Sequence, residues 1–311
     1  MKQETVELIY EICKELNIKI EELSYGWIYK LTKDGKIRYI GRKSFDINNV
    51  ESSTIASDKY ATYEVLKSQN IPIIEHKIIF DPNKRKDYMT KKEIINIISS
   101  EFKGRRKIVV KPNIGETGKD VFCCDSIEEI EKIVKELLKN NSSISICPYY
   151  DIKNEYRVFY LKGKVLLIYK KIKPYVIGDG KKSLKELVSK LNLPKNDIVK
   201  ENLSKLDLNY IPENKEKVEL SWKHNLSGGA TPKIIEKEDK IYKKVEKLAI
   251  KTGKTLNMLF ATVDIIETNN DNFYVLEVNS GIGATLFSKL APNGKSIVKD
   301  MYKKALVEFF R

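Results

Sequence analysis

Hydrophobic and polar residues recur with two different periods along this chain, and the segments they mark alternate between helix and strand. Val6, Ile9, Ile12, Cys13 and Leu16 repeat at the spacing of a helix face with charges between them, which predicts an amphipathic N-terminal helix. Another helix is predicted from Ser57. Ser126 with Glu129 three residues on is a capping-box signature, and Ile130, Ile133, Val134, Leu137 and Leu138 behind it form a core-facing stripe. Runs rich in β-branched and aromatic residues predict strands at IVVKP, ISICPYY, YRVFYL, KVLLIYK, LFATVDII and FYVLEVN, and a terminal helix is expected from about residue 296. These elements divide into a short N-terminal region (1–56), a first lobe (57–142) and a second lobe (143–311) that opens with ISICPYY and carries a polar, partly helical insertion at 178–222. There is no internal repeat or low-complexity tract.

With 311 residues and 41% hydrophobic content, the chain can bury a large core. Its N-terminal segment is charged throughout, unlike a signal peptide, and no apolar run approaches membrane-spanning length, so a cytoplasmic protein with no membrane partner is expected. The formal net charge of +14 raises nucleic acid as a partner. Its lysines are scattered, however, arginines are few and no docking motif is evident, so no nucleic acid is expected. An anionic small substrate, ATP among them, or an acidic peptide makes better use of a positive cleft. Cys13, Cys123, Cys124 and Cys147 lack metal-ligand spacing and read as small buried hydrophobes. With only His76 and His224 present, a histidine-based metal site or triad is not expected; His76 reads as a strand residue, and His224 adjoins a segment that could touch substrate.

Candidate chemistry concentrates near the C-terminus. Asp264 lies in a strand-like run at 257–266, and the next strand ends in Glu277 and Asn279, which places three hard oxygen ligands on adjacent strands. Mg²⁺ favours such oxygens and is usually held by one or two carboxylates together with substrate phosphates. A polar, solvent-facing hairpin is the competing reading, weakened because the carboxylates sit inside apolar runs where each needs a partner. A second element, IVVKPNIGETGKDV at 108–121, runs from a strand into a loop with Gly115 and Gly118, flanked by Lys111 and Lys119. Backbone N–H groups in such a loop can turn toward an anion. Other phosphate motifs fail: Gly253-Lys254-Thr255 and Gly294-Lys295-Ser296 lack the first glycine of a Walker A loop, where Leu248 and Lys289 stand. Gly281-Ile282-Gly283 has Leu286 in place of a third dinucleotide-binding glycine.

The order DK…T, KP..G..G, hinge, EYRV, Asp, E.N resembles that of ATP-grasp carboxylate-amine ligases, over nearly the whole chain. More narrowly, IASDKYATYEVLKSQNIPI (55–73), VIGDGKKSLKELV (176–188) and VELSWKHNLSGGATP (218–232) resemble the ATP-grasp domain of cyanophycin synthetase and of bifunctional glutathione synthetase. The resemblance implies an α+β ATP-grasp fold, two α/β lobes gripping ATP, here with a shortened N-terminal region. It also implies that Lys59 and Lys111 contact the ATP phosphates and that Gly115, Gly118 and Lys119 form a lid loop. Cys147, Tyr149, Tyr150 and Asp151 lie in the hinge facing adenine, Glu155 falls where the ribose hydroxyls bind, and Asp264, Glu277 and Asn279 hold metal. Gly283 lies in a turn that can point an N–H at the reacting carbonyl. Arg157 and Lys171 are candidates for γ-phosphate or acyl-phosphate contacts, and Asn225 stands in the NLSGG segment as a further catalytic candidate. For Arg157 and Lys171 a surface salt bridge is the competing reading.

For function, the resemblance implies an ATP-dependent amide-forming ligase working through an acyl phosphate, with ATP and Mg²⁺ (two ions, Mn²⁺ able to substitute) and an amino acid or short peptide as substrate. Two other readings stay open: a ligase acting on an acidic precursor peptide, and a non-catalytic ATP-binding module. Relatives often have two arginines before NLS, where this chain has Ser221, Trp222, Lys223 and His224, and Lys171 stands where arginine is usual. Arginine's planar fork binds carboxylate or phosphate bidentately and lysine does not, so recognition of acidic groups should differ. The modules that accompany this domain in cyanophycin synthetase and bifunctional glutathione synthetase are missing from these 311 residues, and a homodimer could complete the substrate walls.

Overall fold

The computed structural model describes residues 3–41, 44–85, 87–115 and 118–311. Helix α1 (Gln3–Glu15) leads into an antiparallel meander of β1 (Lys19–Leu23), β2 (Ile28–Lys33), β3 (Lys36–Gly41) and β4 (Ser44–Phe45). The stripe read from the sequence is the buried one: Ile9, Ile12 and Cys13 join Leu31, Ile40 and Phe45 in one core. Two helices follow, α2 (Val50–Ser57) and α3 (Lys59–Ser68). The helix expected from Ser57 begins two residues later because Asp58 leaves helical geometry and caps it, its Oδ1 accepting the Ala61 N–H at 2.8 Å.

The first lobe is built from β5 (Lys77–Phe80), α4 (Lys91–Phe102), β6 (Ile108–Pro112), β7 (Phe122–Cys124), α5 (Ile127–Asn140) and β8 (Ser143–Pro148), with strand order β5-β8-β6-β7. Strand β8 lies between β5 and β6, so the strand expected to open the second lobe is central to the first, and the crossover falls just after it. Alternation along the strands explains this. Ile108, Val110, Ile144 and Ile146 point into the core with Ile130, Val134, Leu137 and Leu138 of α5. Val109, Lys111, Ser145 and Cys147 therefore face the other way.

The second lobe is organised on a five-stranded antiparallel sheet of order β13-β10-β9-β14-β15. Strands β9 (Ile152–Leu161) and β10 (Lys164–Ile172) are followed by β11 (Tyr175–Ile177) and then the insertion, whose α6 (Leu184–Ser189), α7 (Asp197–Ser204) and β12 (Lys217–Glu219) share with β11 a small core of Val176, Leu184 and Leu220. Next come β13 (Thr231–Ile234), α8 (Tyr242–Thr255), β14 (Phe260–Thr268), β15 (Phe273–Asn279), α9 (Thr285–Leu290) and α10 (Gly294–Phe309). One face of this sheet buries Tyr156, Val158, Ile168, Val263, Ile265 and Val275 together with residues of α3 and α8. The opposite face packs at one end, through Phe159, Leu161 and Tyr169, against α10 and the N-terminal meander. No helix among the described residues is long and apolar enough to cross a membrane.

All four cysteines are free, and Cys13, Cys124 and Cys147 are buried. The two partial Walker sequences prove to be packing positions. Gly294 is the first residue of α10, and Gly253 sits inside α8 where a Cβ would lie 2.6 Å from the Tyr160 ring. Gly253→Ala should therefore lower unfolding stability by about 1–3 kcal/mol through overpacking. Chemical denaturation, read as a shift of midpoint at constant slope, measures this.

Candidate active site

The free stretch of the central sheet's second face carries two rungs of functional side chains. Strand register places Tyr169, Arg157, Asp264 and Glu277 directly opposite one another across β10, β9, β14 and β15. Two residues along, Lys171, Glu155, Ile266 and Tyr274 form the next rung. A β-bulge at Leu276 makes this arrangement work, since Asp264 pairs with Glu277 while Ile265 pairs with Val275. Val275 and Val278 both stay in the core behind the sheet, while Leu276, Glu277 and Asn279 turn to the same side as Asp264.

Asp264 is wholly buried and is bound from two directions. Arg157 chelates it, Nε to Oδ1 at 2.7 Å and Nη2 to Oδ2 at 2.5 Å, and Lys171 Nζ lies 3.3 Å from Oδ1. Burial opposes the Asp264 charge, but these two cations overcome it and hold the carboxyl well below the usual carboxylate range. Lys171 is itself buried and donates to Glu155 Oε1 at 2.5 Å. The pairs formed by Arg157 and Lys171 are thus interior interactions; the surface salt bridge considered for them is not what the fold builds. Glu277 is more open, with 31% of its side chain exposed. Its carboxyl is pushed upward by burial and by the Asp264 charge, and it accepts a 3.3 Å hydrogen bond from Asn279 Nδ2.

Across the cleft, Lys111 projects from the inner face of β6, and Lys59 is the first residue of α3. Neither is in an ion pair among the described residues. Burial and then the neighbouring Lys111 charge lower the Lys59 ammonium to about 8. Lys59 Nζ donates to the carbonyls of Asn113 and Gly115, each at 3.2 Å, which ties the start of the glycine loop to α3. At the loop's far end Gly118 has φ +68° and presses against Asn225, where a Cβ would lie 1.9 Å from Nδ2. Lys223 Nζ reaches the Gly118 carbonyl at 3.4 Å.

An apolar cluster adjoins this cationic end. Val109, Cys147, Ile74 and Ile266 are buried there, with Tyr149, Tyr150, Trp222, Tyr274 and Leu276 partly buried around them. The cluster draws residues from both lobes, and Tyr149 and Tyr150 of the hinge pack against it. Within the hinge the Tyr149 N–H is donated to the Lys107 carbonyl, and Asp151 Oδ2 accepts from Asn269 Nδ2 at 2.6 Å.

The structure thus brings Lys59, Lys111, Arg157, Lys171, Glu155, Asp264, Glu277 and Asn279 to one cleft. It also qualifies several expectations. Glu155 is tied to Lys171, so a ribose would find it already partnered. Lys119 is exposed and makes no ion pair among the described residues. The Gly283 N–H is donated to the Gly281 carbonyl at 3.2 Å, so it is not free to meet a reacting carbonyl. His76 precedes β5 and is buried with Nδ1 2.6 Å from Ser145 Oγ; burial, Lys111 and Lys59 keep it well below its ordinary pKa. His224 is buried as well, its Nδ1 2.9 Å from the Lys171 carbonyl. Sequence reading missed Asn113, whose Oδ1 accepts the Tyr60 N–H at 3.1 Å, and also the packing of Trp222 against the apolar cluster. The one available signal for Asn113 was a polar residue placed directly after the KP of a buried strand.

Lys59 and Lys111, which make no ion pair with a carboxylate among the described residues, are the candidate anion-binding side chains, and Glu277 lies close enough to Lys59 to act on its charge. Comparisons with known proteins bear on the chain as a whole. Residues 215–301 match the RimK-like ATP-grasp domain, a span that includes Asp264, Glu277 and Asn279. The bifunctional glutathione biosynthesis protein of Clostridium perfringens is 27% identical over 282 residues, covering 81% of this chain and 33% of that protein. Cyanophycin synthetase of Trichormus variabilis is 27% identical over 238 residues, 69% of this chain and 24% of the relative. The chain thus spans a third or less of these curated relatives. Among solved structures, the bifunctional glutathione synthetase of Pasteurella multocida superposes with a TM-score of 0.58 at 18% identity, over 98% of this chain and 44% of that one. D-alanine–D-alanine ligase of Bacillus anthracis gives 0.54 at 18% identity, over 85% and 69%. The chain has the ATP-grasp fold, and residues 215–301 are similar to the RimK-like ATP-grasp domain.

Lys59 supplies a pH test of the anion site. An amine that titrates at about 8 in the free protein loses its charge as pH rises through that value, so phosphate binding should weaken from pH 7 to pH 9. Titration with a fluorescent ATP analogue should show this decline, and Lys59→Gln should be weaker throughout with a flatter profile.

Proposed function

We propose that the protein is an ATP-dependent ligase that joins a carboxylate to an amine, with an amino acid or short peptide among its substrates. The observation that carries this reading is the rung Arg157–Asp264–Glu277 with Lys59 and Lys111 beside it, next to a cluster of partly buried aromatic rings. Those rings suit a planar base, with the hinge beside them, and Lys59, Lys111 and the amides of the glycine loop suit a triphosphate. Glu277, Asn279 and Asp264 suit Mg²⁺: two carboxylates and an amide oxygen are hard ligands that leave coordination positions for phosphate and water. Among the described residues no three His, Cys, Asp or Glu side chains group to hold a metal by themselves, in keeping with a site that phosphate completes. A metal bound there would neutralise phosphate charge, and two ions, with Mn²⁺ able to substitute, belong to the proposal.

The protein's own contribution is positioning and charge. A substrate carboxylate oxygen attacks the γ-phosphorus, the bond to the bridging oxygen breaks, and ADP leaves. The amine then attacks the acyl carbon, loses a proton and expels phosphate. Lys111 and Lys59 hold phosphate oxygens through the first step, and Arg157 and Lys171 lie on the sheet where charge develops. Lobe closure excludes water, which would otherwise intercept the activated carbonyl. The net charge of +14 favours an acidic carboxylate partner by electrostatic steering.

Mg-ATP incubated with pools of amino acids and short peptides should release ADP and phosphate only when both a carboxylate and an amine are present, with a product mass equal to condensation. AMP and pyrophosphate would overturn the mechanism, and binding without turnover in every pool would leave a nucleotide-binding module. Glu277→Gln should reduce turnover by about 10²-fold or more with the fold intact. Asp264→Asn should also lose activity, but it leaves Arg157 and Lys171 underbalanced in the interior and should cost about 3–5 kcal/mol of stability. Thermal unfolding of the two variants separates these outcomes.

A further inference from the structure

We infer that the Arg157 guanidinium is a built-in occupant of the metal site, so that a divalent metal is admitted only together with nucleotide phosphates. This rests on the reading of the cleft as a metal–nucleotide site and adds an order to it. Both Asp264 oxygens are already bound, Oδ1 by Arg157 Nε and by Lys171, and Oδ2 by Arg157 Nη2. The same Nη2 extends to 3.8 Å from Glu277 Oε1. One guanidinium thus spans Asp264 and Glu277, the two carboxylates that would hold a metal ion.

The charges around it point the same way. Asp264, Glu277 and Glu155 are the carboxylates of the two rungs, and they face Arg157, Lys171, Lys59 and Lys111. Three negative groups against four positive ones leave a site that repels a bare dication, and the buried setting screens that repulsion little. A triphosphate reverses the sign. Its oxygens offer Lys59 and Lys111 charged acceptors, and they offer the Arg157 fork a bidentate partner as good as Asp264. Once Arg157 turns to phosphate, Asp264 Oδ2 is released beside Glu277. Arg157 thereby couples the two binding events: the interaction that excludes metal from the empty cleft becomes a phosphate contact in the filled one.

Water-proton relaxation enhancement by Mn²⁺ reports only metal held by the macromolecule, and it reads this directly. Wild-type protein alone should give little enhancement, while protein with a non-hydrolysable ATP analogue should bind Mn²⁺ about tenfold or more tightly. Arg157→Gln should bind Mn²⁺ without nucleotide about tenfold more tightly than wild type, Arg157→Lys should fall between, and adding Glu277→Gln to Arg157→Gln should abolish the gain. Equal Mn²⁺ affinity of the wild type with and without analogue would overturn the inference, as would a folded Arg157→Gln that gains nothing. The wild-type comparison stands even where the variants fail to fold. Analogue binding is followed separately by fluorescence. If nucleotide binds but metal entry does not depend on it, only the inference falls; if no nucleotide binds, the functional reading falls and takes the inference with it.

Discussion

The bidentate pair between Arg157 and Asp264 is the interaction around which the second lobe's chemistry is arranged. A carboxylate fully withdrawn from water in the middle of a sheet is tolerable only with its charge met and its lone pairs filled. Arg157 and Lys171 do both, and in doing so they tie three neighbouring strands together on one face. Lys171 passes the constraint on to Glu155, so the two rungs form one connected network. Removal of any one member leaves another buried and uncompensated, which explains why so much charge can sit on a sheet whose opposite face is largely apolar.

The network also divides the labour between lobes. The second lobe keeps its carboxylates and their cations mutually satisfied, while Lys59 and Lys111 meet no carboxylate in an ion pair among the described residues. An anion entering between the lobes therefore finds unpaired cations on one wall and paired ones on the other. The glycine loop is held across this boundary, by Lys59 at its start and by the Lys223–Asn225 segment at its end. Helix α3, packed on the second lobe's core, thus reaches across to the first lobe's loop. The segment after the insertion meets Gly118 from the other side.

Much of this was legible in the chain. The helical stripe of α1, the stripe of α5 and the strands carrying Lys111, Glu155, Asp264 and Glu277 follow from hydrophobic periodicity, because burial of one face imposes it. The chemistry was legible for a related reason: a carboxylate inside an apolar run needs a partner, and a glycine loop after a strand offers amides to an anion. Sequence order likewise sufficed for the resemblance to ATP-grasp ligases, whose fold the structure displays.

Other features arise only when strands pair. Strict alternation would put Glu277 on the opposite face from Leu276, and only the bulge against β14 turns both to the cleft. A bulge depends on register with a neighbour, which local sequence does not encode. The lobe assignment of β8 was likewise set by its partners, since a fully buried strand looks the same in either sheet. The sequence by itself determined which residue types could bind phosphate and metal and the order in which they occur. Tertiary structure decided that Arg157 and Lys171 spend their charge on Asp264, that Glu155 is already partnered, and that the Gly283 N–H is spent within its own turn. Those outcomes depend on distances between residues far apart in the chain, or on the path of a single turn, and both are fixed by packing.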